Sequence, residues 1–110
     1  MVLLFKTGDA KLLKNEILEQ IIRKKFKTWF KSKDFEGDYI IHKEQWEKRG
    51  AIHLLSDSSN KILIATVKNI EVNEINIEDY ESHYLGRFSQ FMLVNFHRSF
   101  TAIEKIKILK

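Results

Sequence analysis

A chain of 110 residues with a net charge of +4, no cysteine and no proline is long enough for one hydrophobic core and short for two. The absence of cysteine excludes disulfides, thiolate metal sites and a cysteine nucleophile, and leaves a reducing cytoplasm as the expected compartment. The opening run Met-Val-Leu-Leu-Phe-Lys is too short an apolar stretch for a signal peptide, and no run of about 18 apolar residues offers a membrane span.

Val2 to Lys6 predicts a first strand, buried on both faces because four apolar residues run together. Thr7-Gly8-Asp9 breaks it, and Asp9 is placed to cap a helix by accepting a first-turn amide. From Ala10 to about Phe30, two sets recur at helical spacing: Leu13, Ile17, Ile21 and Leu18, Ile22, Phe26, Trp29. They predict one long amphipathic helix, flanking the rest over 9–31, whose end carries Arg23, Lys24, Lys25, Lys27 and Lys31. Residues 32–37 read as a loop, 38–42 as a strand, and 43–49 as a polar loop around Trp46.

A hairpin follows: Ala51 to Leu55 and Lys61 to Val72 are β-rich, and Asp57-Ser-Ser-Asn60 turns through side-chain bonds to its own backbone. Residues 73–86 read as acidic and irregular, with Tyr80, His83 and Tyr84 among them. Phe88 to Phe96 reads as a strand and His97-Arg98-Ser99 as a bend. Ala102 to Leu109 reads as a last strand, because Ile106 and Ile108 alternate with Lys105 and Lys107. The class is therefore α+β, a small and mostly antiparallel sheet of five or six strands with one long N-terminal helix.

Charge is unevenly placed along this order. Residues 1–33 hold nine Lys/Arg against three Asp/Glu, a balance of +6, while 73–86 hold Glu74, Glu78, Asp79 and Glu81 with no Lys or Arg, a balance of −4. A basic side that attracts a polyanion is the functional reading; a solvated lysine-rich face is the ordinary one. The four acids supply oxygen ligands for a divalent cation, or else form a solvated loop that repels nucleic acid. His42, His53, His83 and His97 fall in no metal-binding spacing, so no metal and no cofactor are expected.

Two segments carry a family resemblance. Arg49-Gly50-Ala-Ile-His-Leu-Leu, running through a polar turn into Ile62-Leu-Ile-Ala-Thr-Val-Lys-Asn-Ile-Glu-Val72, resembles the paired strands of ASCH-type domains. Phe91-Met-Leu-Val-Asn-Phe-His-Arg98-Ser-Phe100, followed by Ile103 to Leu109, is similar to the closing strands of EVE and ASCH domains. The resemblance spans about 70 of 110 residues and implies the PUA-like superfamily, whose fold is a pseudo-barrel. Departures accompany it: Lys24-Lys25-Phe26-Lys27-Thr28 stands where hydrolytic ASCH members carry Gly-Lys-Lys-Thr, and the usual proline-rich ending is missing.

What the resemblance implies is a nucleic-acid-binding module, for RNA or DNA, that accommodates a modified or flipped base in an aromatic pocket. Aromatic faces stack on any base, while cations hold the backbone in a salt-dependent way. Trp46, Tyr39, Trp29 and Tyr84 are the candidate pocket rings. Trp46 reads equally as a plug for the barrel end, and Trp29 as core. Lys24, Lys25, Lys27, Arg49, Arg87 and Arg98 are the candidate backbone contacts, or ordinary surface ion-pair partners. A separate motor or nuclease protein is the partner expected if the ligand is modified DNA. Two other classes stand beside this one. One is an ASCH-type hydrolase of a modified nucleoside using Lys25, Thr28 and Glu47 or Glu74; the other is a small inhibitor or interaction protein.

Overall fold

The computed structural model describes residues 1–33, 35–43, 50–69 and 80–106. Among these, six strands form one antiparallel sheet and two helices accompany it: β1 (Val2–Lys6), α1 (Ala10–Ile22), β2 (Trp29–Lys31), β3 (Tyr39–His42), β4 (Gly50–Asp57), β5 (Ile62–Asn69), α2 (Glu81–Asn95) and β6 (Ala102–Ile106). The strand order is β2-β3-β4-β5-β1-β6. The α+β class holds, but the sheet is not closed into the expected pseudo-barrel; β2 and β6 are its two edges.

The β4–β5 hairpin is in register as its alternation demands, with Ile52 opposite Val67 and Leu54 opposite Ala65. Its turn is built as the side chains predict: Asp57 Oδ1 accepts from the Asn60 amide at 3.2 Å, and Asn60 Nδ2 donates to Asp57 Oδ2 at 2.8 Å. Those bonds hold the Asp57 carboxyl below its ordinary range. Residues 70–72, assigned to this strand from sequence, lie outside the described residues, as do 107–109 of the last strand.

Side-chain alternation divides the sheet into two unlike faces. Leu3, Phe5, Ile40, Ile52, Leu54, Leu63, Ala65 and Val67 are buried and belong to a single core that both helices enter. Each large apolar side chain so buried contributes about 1.5–3 kcal/mol. On the other face Val2, Leu4, Tyr39, Ile41, His53, Ile62, Ile64 and Thr66 are only half-buried. Strand β1 is thus fully buried on one face alone, not on both.

Helix α1 starts where predicted, with the Leu12 amide donating to Asp9 Oδ1 at 3.0 Å, and buries Ala10, Leu13, Ile17 and Ile21. It ends eight residues before the expected Phe30. Lys24 adopts φ 58°, and the amides of Lys24 and Lys25 donate to the carbonyls of Ile21 and Gln20 at 3.0 and 3.2 Å. This is a Schellman closure with lysine where glycine is usual. A longer helix would have stacked Arg23, Lys27 and Lys31 at successive i,i+4 positions, a repulsive arrangement. Trp29 and Phe30 instead form β2, opposite His42 and Ile41.

The second correction is larger. Of residues 88–96, read as a strand, 88–95 are the body of α2 and Phe96 is its cap; the helix begins at Glu81 inside the stretch read as irregular. Tyr84, Leu85, Phe88, Phe91 and Met92 are buried at i, i+1, i+4, i+7 and i+8, one stripe of a helix. No hairpin therefore closes the chain. Strand β6 pairs with β1, placing Ile103 opposite Phe5 and Ile106 opposite Val2.

Candidate functional site

Early termination of α1 has a structural consequence. Residues 25–28 run as an irregular segment between α1 and β2, and they face α2 across an open groove of about 380 Å³. One wall is Lys25, Phe26, Lys27 and Thr28; the other is the α2 stripe Arg87, Gln90, Phe91, Val94 and Asn95. Trp29 and His42, cross-strand partners on β2 and β3, close one end.

The floor is aromatic. Trp29 lies 5.3 Å from Phe91, 5.7 Å from Phe88 and 6.3 Å from Tyr84, and meets the His42 ring edge-on at 5.0 Å. Phe26 stands edge-on to Phe91 at 4.7 Å. Trp29 and Phe91 are only 4% and 7% exposed, so they support the floor, while half-buried Phe26 has ring surface left to offer. The rim is cationic. Lys25, Lys27 and Arg87 are exposed, and among the described residues no carboxylate lines the groove. Among the described residues the three salt bridges found are Met1 to Glu81, Lys14 to Asp38 and Arg23 to Glu19. The groove's cations belong to none of them.

Beneath the floor a tyrosine pair ties α2 to the sheet. Tyr84 is completely buried; its hydroxyl donates to the Gly50 carbonyl at 3.1 Å and accepts from the His42 amide at 3.0 Å. Tyr80 donates to Asn69 Oδ1. A Cβ on Gly50 would stand 2.5 Å from the Tyr80 hydroxyl and 2.7 Å from the Lys68 carbonyl, so only glycine lets this ring approach the backbone so closely.

Tyr39 lies on the opposite face of the sheet, in a second aromatic cluster. Its ring is 4.9 Å from Phe35 and 4.6 Å from His53. Lys68 Nζ sits 4.7 Å above the Phe35 ring and 5.6 Å from that of Tyr39, and Lys14 Nζ donates to Asp38 Oδ2 at 2.8 Å. Burial lowers the His53 imidazole below its ordinary value, opposed by Asp38 and reinforced by Lys14 and Lys68.

The four candidate rings therefore do not share a pocket. Trp29 lines the groove; Tyr84 is core and unavailable to a ligand; Tyr39 is on the other face; Trp46 lies outside the described residues. Of the candidate cations, Lys25, Lys27 and Arg87 converge on the groove. Lys24 is exposed at the end of α1, Arg98 is exposed beyond α2, and neither forms a wall; Arg49 lies outside the described residues. Phe26, His42, Gln90, Phe91 and Asn95 were not singled out from sequence. The signal that finds Gln90, Phe91 and Asn95 is the α2 stripe itself, once its period is read as 3.6 across residue 86.

Among the described residues no three His, Asp or Glu side chains come together as metal ligands, and no helix is long and apolar enough to cross a membrane. Glu81, the described member of the acidic stretch, lies 3.3 Å from the Met1 amino nitrogen; Glu74, Glu78 and Asp79 lie outside the described residues. Compared with family models, curated proteins and solved structures, the chain matches none.

Proposed function

We propose that this protein is a nucleic-acid-binding module and that the groove between residues 25–28 and α2 is where it holds a single strand. The observation that carries the reading is the convergence, on a groove with an aromatic floor, of three cations that meet no carboxylate among the described residues. Lys25, Lys27 and Arg87 supply phosphate contacts, Arg87 with a planar fork suited to two oxygens. Phe26 supplies a ring against which a base packs, a contact worth about 1–3 kcal/mol in single-strand binders and tolerant of sequence.

The PUA-like kinship is a separate part of the proposal and draws now on the β4–β5 hairpin, since the second resembling segment begins as helix over residues 91–95 and is not a strand. The groove reading does not depend on it. The hydrolase alternative keeps Lys25 and Thr28, both on the groove wall, while Glu47 and Glu74 lie outside the described residues.

The test is a titration of labelled single-stranded oligonucleotides at several salt concentrations. Wild type should bind with an affinity that falls steeply as salt rises, by a log–log slope of about 0.7 per phosphate contact. Replacing Lys25, Lys27 and Arg87 together by alanine should reduce that slope by about 2. Binding whose slope is the same in wild type and variant would place the contact elsewhere, and turnover of a nucleoside panel abolished by Lys25→Ala would favour the hydrolase.

A further inference from the structure

The geometry points to the sheet face turned away from both helices as the docking surface for a second copy of this chain, packed sheet against sheet about a two-fold axis that runs along β5. The groove lies on the other side of the sheet, so the two surfaces are independent and a pair formed in this way leaves both grooves facing outward.

Register lays the face out in rows. Crossing from β4 through β5 to β1, one row reads Leu55, Ile64, Leu4 and the next reads Asp57, Ile62, Lys6. A third row passes Thr66 and Val2 and ends on Ile106 of β6. Both helices enter the core from the opposite face. On this one Leu55 is 50% and Ile106 42% exposed, and Leu4, Ile62 and Ile64 between them are only half-buried. Apolar side chains gathered into one such patch mark an interaction surface, unlike singly scattered ones.

The charges beside the patch identify the occupant. Asp57 and Lys6 flank Ile62 on opposite sides, each one strand away from β5. A half-turn about β5 exchanges the positions of β4 and β1. Lys6 of each copy then comes over the partner's Asp57, Leu55 over the partner's Leu4, and Ile64 over its own counterpart. Packed sheets stand about 10 Å apart, a gap that a lysine and an aspartate reaching from opposite sides can close. Lys6 is exposed, and neither it nor Asp57 belongs to the salt bridges found among the described residues. Asp57 keeps acceptor capacity beyond its two bonds from Asn60. Lys68, further along β5, is drawn aside over the rings of Phe35 and Tyr39, which takes its charge off the axis. Glu104, opposite Leu4 on β6, adds another acid at the margin. A margin of mixed sign suits neither a polyanion nor an anionic bilayer, both of which select for cations. It suits a copy of itself, and an isologous two-fold pair is the commonest closed assembly.

Four strands by five residues make a patch of about 19 by 17 Å. That is small, so the pair should be reversible, with a dissociation constant of about 50 μM, among the weak interfaces. Sedimentation velocity of the full chain from about 5 to about 500 μM brackets that value. Leu55→Lys places a charge in the apolar row and should raise the dissociation constant about ten-fold or more. Lys6→Glu, which turns the attraction to the partner's Asp57 into repulsion, should raise it as well. Leu12→Lys is the control: this leucine of α1 is as exposed as Leu55, at 54%, but lies on the helical side, and its replacement should leave the pair intact. Urea midpoints establish that each variant is folded, and Lys6→Glu carries the test should Leu55→Lys not be. A wild type that stays monomeric throughout, including one that floats with phosphatidylserine vesicles instead, overturns the inference. So does a pair that survives both Leu55→Lys and Lys6→Glu, or one that Leu12→Lys abolishes equally.

Discussion

The two aromatic clusters of this protein are built from the same materials and do opposite things with them. On the helical side, Phe26, Trp29 and Phe91 underlie Lys25, Lys27 and Arg87, whose charges meet no carboxylate among the described residues. On the other side, Phe35, Tyr39 and His53 are joined by Lys68, already seated over two rings, and by Lys14, already paired with Asp38. A lysine beside an aromatic ring is thus no sign of a binding site by itself. What separates the two clusters is whether the cation already meets a partner among the described residues.

The contrast is exposed to breaking at several points. The strongest perturbation is Gly50→Ala, which forces a methyl group against the Tyr80 hydroxyl and the Lys68 backbone. It should lower stability by about 3 kcal/mol, near the upper end for overpacking, seen as an earlier urea midpoint with an unchanged slope. Because Gly50 joins the groove's underpinning to the sheet, oligonucleotide binding should weaken only in proportion to the fraction unfolded. A smaller effect is expected for Tyr84→Phe. Removing the hydroxyl deletes its bonds with the His42 amide and the Gly50 carbonyl, at a cost of about 1–2 kcal/mol by the same measurement.

Smaller again is Lys68→Ala, on the internally satisfied side. Loss of its ring contacts should cost about 0.5–1 kcal/mol and leave oligonucleotide affinity within two-fold of wild type. A large loss of affinity there would erase the distinction between the clusters. The mildest test is pH. His53 is held below its ordinary value of 6.5, so between the two values the unfolded chain binds the proton that the folded chain refuses. Stability should therefore decline as pH falls below about 6.5 and level off once the folded imidazole also titrates. The decline should be slight, because Asp38 opposes the effect of burial, and His53→Gln should flatten it in thermal melts taken between pH 7.5 and 5.

How much of this was legible in the sequence differs by element, for physical reasons. The β4–β5 hairpin was readable because its alternation and its Asp57/Asn60 turn are local. The start of α1 was readable because Asp9 acts on an amide three residues away. Its end was not: no glycine or proline marks Lys24, and the stripe through Phe26 and Trp29 continues the helical period by coincidence while those side chains reach the core from a loop and a strand. Helix α2 was lost because its aromatic and branched residues carry β propensity, and because its stripe was cut where composition changed near Gly86. That loss propagated to the site. Lys25, Lys27, Trp29 and Arg87 were all nominated singly, but their convergence depends on α2 being a helix, and with it Gln90, Phe91 and Asn95 went unseen.

Strand β2 is three residues long, and that brevity constrains how the chain tolerates insertions. Trp29 points into the core and Phe30 to the other face, where Lys43 rests 5.2 Å above its ring. Adding or removing one residue between Lys24 and Trp29 would exchange the two, turning the indole outward and withdrawing a wall of the groove at the same stroke. The exposed turn at Ser58 and Ser59 carries no such linkage, so length variation is expected to accumulate there and to be resisted in the short segment after α1.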